Sequence, residues 1–232
     1  MLAGARLLSY VAGLVLAALQ DAMALPNRVD PFGHLFADPA RGLLMGNRGG
    51  RLHGDDRTLT ARRWVTRAWI CCKLEFNNRQ RKVWGEGYSE LFFLDEVTAF
   101  AAGHRPCFEC RRQDAEIFAL LFSGRTRRAR AAAMDEVLHA ERLAGKGKRT
   151  HARAIDDLPD GAVIALGGDS FAVRGRRLLR WTPSRYADAR PRPRATQVEV
   201  LTPPSILSVL ARGFSPLWHS SAAVAGYDSD QT

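Results

Sequence analysis

The chain predicts an α+β protein in which a small zinc-bound module of β-hairpin and helix is joined by a basic helical connector to a small β-rich unit. Three observations carry this expectation. All four cysteines, Cys71, Cys72, Cys107 and Cys110, lie mid-chain in two close pairs. Between the pairs, Asp95 is placed as an N-cap and Gly103 as a terminator for a short helix over 96–102. After Leu158-Pro159-Asp160-Gly161, short alternating apolar segments recur between turn residues, the pattern of a compact β unit.

With 46% hydrophobic and 25% charged residues among 232, the chain has a globular composition rather than that of a disordered protein or a membrane bundle. Lys and Arg outnumber Asp and Glu by 34 to 24, a formal charge of +10, so some surface carries a standing positive potential. Polyanions are the natural partners of such a surface. Nucleic acid, DNA ahead of RNA, is the expected one, and no membrane partner is expected.

The apolar run Leu7–Leu19 behind Arg6, followed by Ala22-Met23-Ala24, has the outline of a secretory signal and is too short to span a bilayer comfortably. A translation start at Met23 is the favoured alternative, because four thiols in an oxidising compartment would form disulfides rather than hold metal. The expected location is therefore the cytoplasm, and 1–24 is set apart as an extension. Residues 25–60 read as a Gly- and Pro-rich, loop-like lead-in with breakers at Pro31-Phe32-Gly33 and Gly46-Asn47-Arg48-Gly49-Gly50-Arg51. The second breaker has the glycines and arginines of a phosphate cradle but not the Lys-Ser/Thr ending of a P-loop, so a tight surface loop is the default.

Within the module, 61–125, the β-rich run Trp64–Phe76, the turn Asn77-Asn78 and the return Arg81–Trp84 predict a hairpin. Tyr88–Phe93 predicts a further strand, and Asp114–Phe122 a second helix. The connector, 126–157, centres on a helix over Ala131–Leu143 between basic clusters at Gly124–Arg130 and Lys146–Arg153. In the β-rich unit, 158–219, strands are expected over Ala162–Leu166, Ser170–Val173, Leu178–Trp181 and Val198–Leu201. The same unit carries an extended basic loop, Arg190-Pro191-Arg192-Pro193-Arg194, and a short apolar helix, Ser205–Leu210. Residues 220–232 read as a disordered tail.

Cys107-Phe108-Glu109-Cys110 is a Cys-x2-Cys turn, in which two thiolates reach one tetrahedral metal while backbone N–H groups steady the sulfurs. Together with Cys71 and Cys72 it predicts a zinc site. Adjacent residues on a regular strand point to opposite faces, so ligation by both Cys71 and Cys72 requires a bulge. With only one of them bound, His104 or a water is the fourth donor. Four unrelated thiols, with Cys71 buried as a small hydrophobe, is the competing reading. A redox Cys-x2-Cys lacks its usual βαβ context. Phosphate contacts are expected from Arg105, Arg111, Arg112, Arg125, Arg127 and Arg128.

Pro106-Cys107-Phe108-Glu109-Cys110 also matches the second half of the zinc deaminase signature, whose first half is His-x-Glu. The sequence has that triplet only at His139-Ala140-Glu141, downstream and so in reversed order. His53-Gly54-Asp55-Asp56 reads as a surface loop in preference to a divalent-ion site. No Walker motif, nucleophile elbow or dinucleotide fingerprint is present. The expectation is a zinc-binding, nucleic-acid-binding protein without catalytic activity of its own, with a protein-interaction scaffold as an alternative.

The run Leu91–Arg111, with an aromatic strand, an Ala-rich helix and Gly103-His104-Arg105-Pro106-Cys107-Phe108-Glu109-Cys110-Arg111, resembles the second half of the Ada-type metal-binding domain. The resemblance implies that Cys107 and Cys110 are the last two of four zinc thiolates and that Trp69-Ile70-Cys71-Cys72 is the strand bearing the first pair. That family usually has Cys-x3-Cys there, whereas here the cysteines are adjacent. The resemblance further implies a DNA-repair role in which Cys71 or Cys72 accepts a methyl group from a DNA methylphosphotriester.

Overall fold

Two six-stranded sheets, a two-stranded ribbon and five helices are formed by the described residues, 24–79, 82–124 and 127–226, of the computed structural model, an α+β architecture as predicted. The signal-like segment to Met23 and the hairpin-return residue Arg81 lie outside the described residues. Among those described, no helix is long and apolar enough to cross a membrane.

The first sheet is built from β1 (Arg28–Val29), β2 (Leu35–Phe36), β3 (Leu44–Asn47), β4 (Ile70–Lys73), β5 (Leu91–Phe93) and β6 (Arg105–Pro106), in the order β2-β1-β5-β3-β4-β6. Half of these strands come from the segment read as loop. The expected hairpin is not formed: β4 is far shorter than Trp64–Phe76, and it pairs antiparallel with β3 and parallel with β6. The turn itself is present, with Asn77 and Asn78 both left-handed at φ +52 and +51, but 82–84 forms no strand and Trp84 is also left-handed. Gly46, one of the supposed breakers, is required inside β3. A Cβ there would meet the Ile70 carbonyl oxygen at 2.2 Å and the Phe93 ring at 2.8 Å. Close approach of two backbones selects glycine here, although glycine alone signals a loop.

Helix α1 (Glu96–Ala101) starts at Asp95, whose carboxylate accepts from Thr98 N, and the chain leaves it through Gly103 at φ +88. Helices α2 (Arg112–Phe122) and α3 (Ala131–Arg142) follow, then the ribbon β7 (Leu143–Ala144) and β8 (Gly147–Lys148). The connector helix is not a solvated spacer. Its Met134 and Leu138 are buried with Phe100, Phe118 and, from α4 (Pro204–Ala211), Ile206 and Val209.

The second sheet contains β9 (His151–Ala154), β10 (Val163–Leu166), β11 (Asp169–Arg174), β12 (Arg177–Trp181), β13 (Tyr186–Pro191) and β14 (Gln197–Val200), in the order β13-β12-β11-β10-β14-β9, all antiparallel. Helix α1 packs on it as well, since Leu94, Val97 and Ala101 share a core with Val163, Leu179, Tyr186 and Leu201. Packing is therefore continuous across residue 158. Three details differ from expectation. Strand β9 comes from the basic segment read as connector and joins the sheet by pairing with β14. The loop Arg190–Arg194 is partly strand, with Arg190 stacked 3.8 Å from the Phe171 ring, and the tail begins as α5 (Ser221–Gly226), with Ala222 buried.

Candidate metal centre

Strand β4 is regular, so its residues alternate and no bulge brings Cys71 and Cys72 to one face. Cys72 turns outward, where its sulfur and those of Cys107 and Cys110 all lie within 4.8 Å of one another. Cys71 turns inward and is fully buried among Val29, Leu44, Leu91 and Phe93. The four-sulfur site is thus corrected to three, and none of the four cysteines is in a disulfide.

His104 is not the missing ligand. It is buried against Trp69 and Phe93, outside the sulfur cluster, and its Nε2 accepts from Arg48 Nε at 3.4 Å. Burial, then the adjoining Arg48 and Arg142 guanidiniums, pushes its pKa well below the ordinary value. An unfolded chain takes up a proton near pH ~6.5 that the folded chain refuses, so this contribution to stability is present above that pH and is lost as pH falls below it. Denaturant titrations are therefore expected to show lower stability at pH 5 than at pH 7 from this group, and His104→Gln should flatten that difference.

The turn is held from two sides. Cys107 N donates to the Cys71 carbonyl at 3.0 Å, continuing the parallel β4–β6 pairing, and Glu109 N donates to Cys107 Sγ at 3.4 Å. Arg111, directly after Cys110, reaches back into the core. It pairs with Glu96 at 2.6 Å and Asp114 at 2.8 Å, and donates to Cys71 Sγ at 3.3 Å. Burial and the nearby Glu96 push the Cys71 thiol up, against the opposing Arg111, so it stays protonated. Hydrogen bonds from Cys110 and then Cys72 hold Cys107 well below the usual thiol range, while its partner Cys72 is driven up by the same contacts.

A tetrahedral zinc with bonds of about 2.3 Å keeps its sulfurs roughly 3.8 Å apart, so this trio needs at most a slight contraction to hold one. Soft thiolates suit zinc among the divalent ions. The site opens on a cavity of about 420 Å³ whose walls include Met45, Ile70, Phe76, Tyr88 and Phe92 beside the three cysteines. These aromatic walls were not identified from sequence. Alternation within each strand is a local signal, but the cross-strand register that aligns Phe92, Met45 and Cys72 on one face is not.

The basic residues separate into two groups. Arg105 is buried, with Nε and Nη2 bidentate on Asp135 at 2.8 and 2.7 Å, and Arg111 is buried as described, so neither is free for phosphate. Arg112 and Arg128 are exposed and share Glu116, Arg127 is exposed, and Arg125 lies outside the described residues. The supposed phosphate cradle turns Arg48 into the core, where it and Arg142 sandwich Trp69 at 3.9 and 4.0 Å and donate to the Gly33 and Gly103 carbonyls. Breaking a buried ion pair leaves an uncompensated charge, so Arg105→Ala should cost about 3–5 kcal/mol in urea denaturation, with most of it recovered in Arg105→Met/Asp135→Leu.

The other candidates are also engaged elsewhere. His139 contacts Arg142 and Trp64, and Glu141 accepts from Ser205, so the deaminase-like triplet is not at the sulfurs. His53 is buried against Trp84 and Ser89, while Asp55 pairs with Arg51 and Asp56 holds Thr58. Comparison of the chain with family models, curated proteins and solved structures returned no match, so the Ada-type likeness rests on its motif alone.

Proposed function

We propose that this chain is a zinc-thiolate, nucleic-acid-binding protein whose metal is held by Cys72, Cys107 and Cys110, with one coordination position turned toward the cavity. The observation that carries the reading is the convergence of three sulfurs on a cavity wall while the fourth cysteine faces the core. Structural zinc sites are closed by four protein ligands, whereas three leave a position for water or a ligand. The charge of +10 supports a polyanionic partner, with Arg112, Arg127 and Arg128, exposed at the two ends of α2, as contacts. Titration of zinc-loaded protein into labelled nucleic acid over a series of salt concentrations tests this. Log affinity should fall linearly with log salt, by about 0.7–0.9 per phosphate neutralised. Absent binding, or affinity insensitive to salt, rejects the reading.

A second reading is favoured by the partial accessibility of Cys72 beside the buried Cys107 and Cys110. Here Cys72, and not Cys71, is the alkyl acceptor. Its thiolate attacks the methyl carbon of a phosphotriester, an S–C bond replaces the O–C bond, and the phosphodiester leaves with the bonding pair. A bound zinc would keep the sulfur deprotonated at neutral pH. Peptide mass spectrometry after incubation with methylphosphotriester DNA should place the methyl on Cys72; an unmodified Cys72 rejects this chemistry.

A further inference from the structure

We propose that the outer face of the first sheet is a groove for single-stranded nucleic acid that ends at the three cysteines, with Arg28, Arg41 and Arg57 as its phosphate seat. The inference rests on the nucleic-acid reading above and specifies the strand state and the path. Cross-strand register places Phe36, Arg28, Phe92, Met45 and Cys72 in one row, on the side opposite the Leu44, Cys71, Leu91 and Phe93 core. Residues within 74–79 and 82–90 supply further walls of the space above that row.

Three cavities meet along this face. The first, at the cysteines, shares Tyr88 and Glu90 with a second of about 630 Å³, and Val83 and Phe92 with a third of about 500 Å³. The second and third share Arg57. Each is large enough for a nucleotide. Phe76, Tyr88 and Phe92 are half-buried aromatic walls along the path, the surface on which unpaired bases stack.

The charge along the path is uneven. Arg79 is neutralised by Glu109 and Arg51 by Asp55. The third cavity differs: Arg28, Arg41 and Arg57 line it, none of them within ion-pair distance of a carboxylate among the described residues, and the one acidic residue on its wall, Asp38, acts on Arg28 only through its nearby charge. Asp38, the acidic residue on its wall, turns a carboxylate oxygen onto Ala40 N at 2.7 Å. Arg28 donates Nε to the Asp38 carbonyl and stacks 4.8 Å from the Phe92 ring, which leaves its Nη1 buried without a partner. Arg57 is held in a left-handed conformation, φ +62. Three guanidiniums gathered round a cavity that holds a single carboxylate, one of them with a buried idle donor, are suited to a phosphate, whose oxygens accept from the guanidinium fork. A carboxylate-bearing peptide would satisfy the arginines but would leave the row of aromatic walls toward Cys72 without a matching group.

The test is fluorescence anisotropy of zinc-loaded full chain with labelled single-stranded DNA, single-stranded RNA and a blunt DNA duplex of equal length. A single strand should bind at least ~10-fold more tightly than duplex, as expected when stacking supplies part of the affinity. Arg28→Glu/Arg41→Glu should weaken single-strand binding by on the order of 100-fold, and Arg57→Glu, at an exposed position, by about 10-fold. Arg153→Glu/Arg194→Glu, on β9 and in the β13–β14 connection, should change it by less than ~3-fold. Zinc content and circular dichroism report whether each variant is folded, and Arg57→Glu serves alone if the double reversal is not. DNA and RNA arms identify the sugar, and either being preferred to duplex supports the groove. Equal or tighter duplex binding, or folded groove variants that bind like the parent, overturns the groove while leaving the nucleic-acid reading in place. No binding by the parent to any of the three overturns both.

Discussion

Serine substitution at Cys72, Cys107 or Cys110 is expected to reduce bound zinc from one ion per chain to near none after dialysis, while Cys71→Ala retains the full complement. The separation follows from β4 alternation, which sends one sulfur of the adjacent pair toward Cys107 and Cys110 and the other to the core. Apparent zinc affinity in thiolate sites is of the order of 10–16 kcal/mol at neutral pH, and loss of one of three thiolates removes a large share of it. Cys71→Ala should instead cost about 1–3 kcal/mol of folding stability, because it leaves a small void and removes an acceptor from Arg111 Nη1. Metal analysis paired with urea denaturation for the four variants separates the two roles: metal falls in three, and stability without metal loss falls in one. Metal loss in Cys71→Ala comparable to that in Cys72→Ser contradicts this assignment.

The second large effect is expected at Asp95. This fully buried carboxylate caps α1 through Thr98 N at 2.9 Å, and accepts from Thr98 Oγ1 at 2.8 Å, Tyr186 OH at 2.9 Å and His219 N at 3.1 Å. It therefore ties the helix preceding the Cys-x2-Cys turn to the second sheet and to the segment before α5. Loss of a cap costs about 1 kcal/mol, and each buried donor left without a partner about 1–3 kcal/mol. Asp95→Ala is thus expected to lose on the order of 4 kcal/mol in denaturant titration, with Tyr186→Phe losing only the one hydrogen bond, about 1 kcal/mol. A loss for Asp95→Ala no larger than for an ordinary cap would mean that the contacts from Tyr186 and His219 carry little.

The local signals of the sequence were read well where a single residue type has a single mechanical use. Asp95 and Gly103 bracket α1, the Cys-x2-Cys turn opens α2, and the four strands expected after Gly161 are observed within a residue or so at each end. Strand β3 was not legible, because Gly46 and the Gly49-Gly50 pair have the composition of a loop and the reason for Gly46 lies in contacts with Ile70 and Phe93 far along the chain. The candidate site was half legible. Spacing identified the cysteines, but which member of the adjacent pair faces outward depends on a register with Met45 that no local pattern contains. Arg105 and Arg111 looked like surface charge for the same reason. Their partners, Asp135 and Glu96, are remote in sequence, and a long aliphatic stem lets a guanidinium serve the core as readily as the surface.

Zinc K-edge absorption spectroscopy of the purified chain counts the atoms around the metal directly. Three sulfurs at about 2.3 Å and one oxygen or nitrogen at about 2.0 Å are predicted, the lighter atom being replaced or shifted when a cavity ligand binds. Four sulfurs, or a shell without sulfur, would contradict a three-thiolate centre open to the cavity.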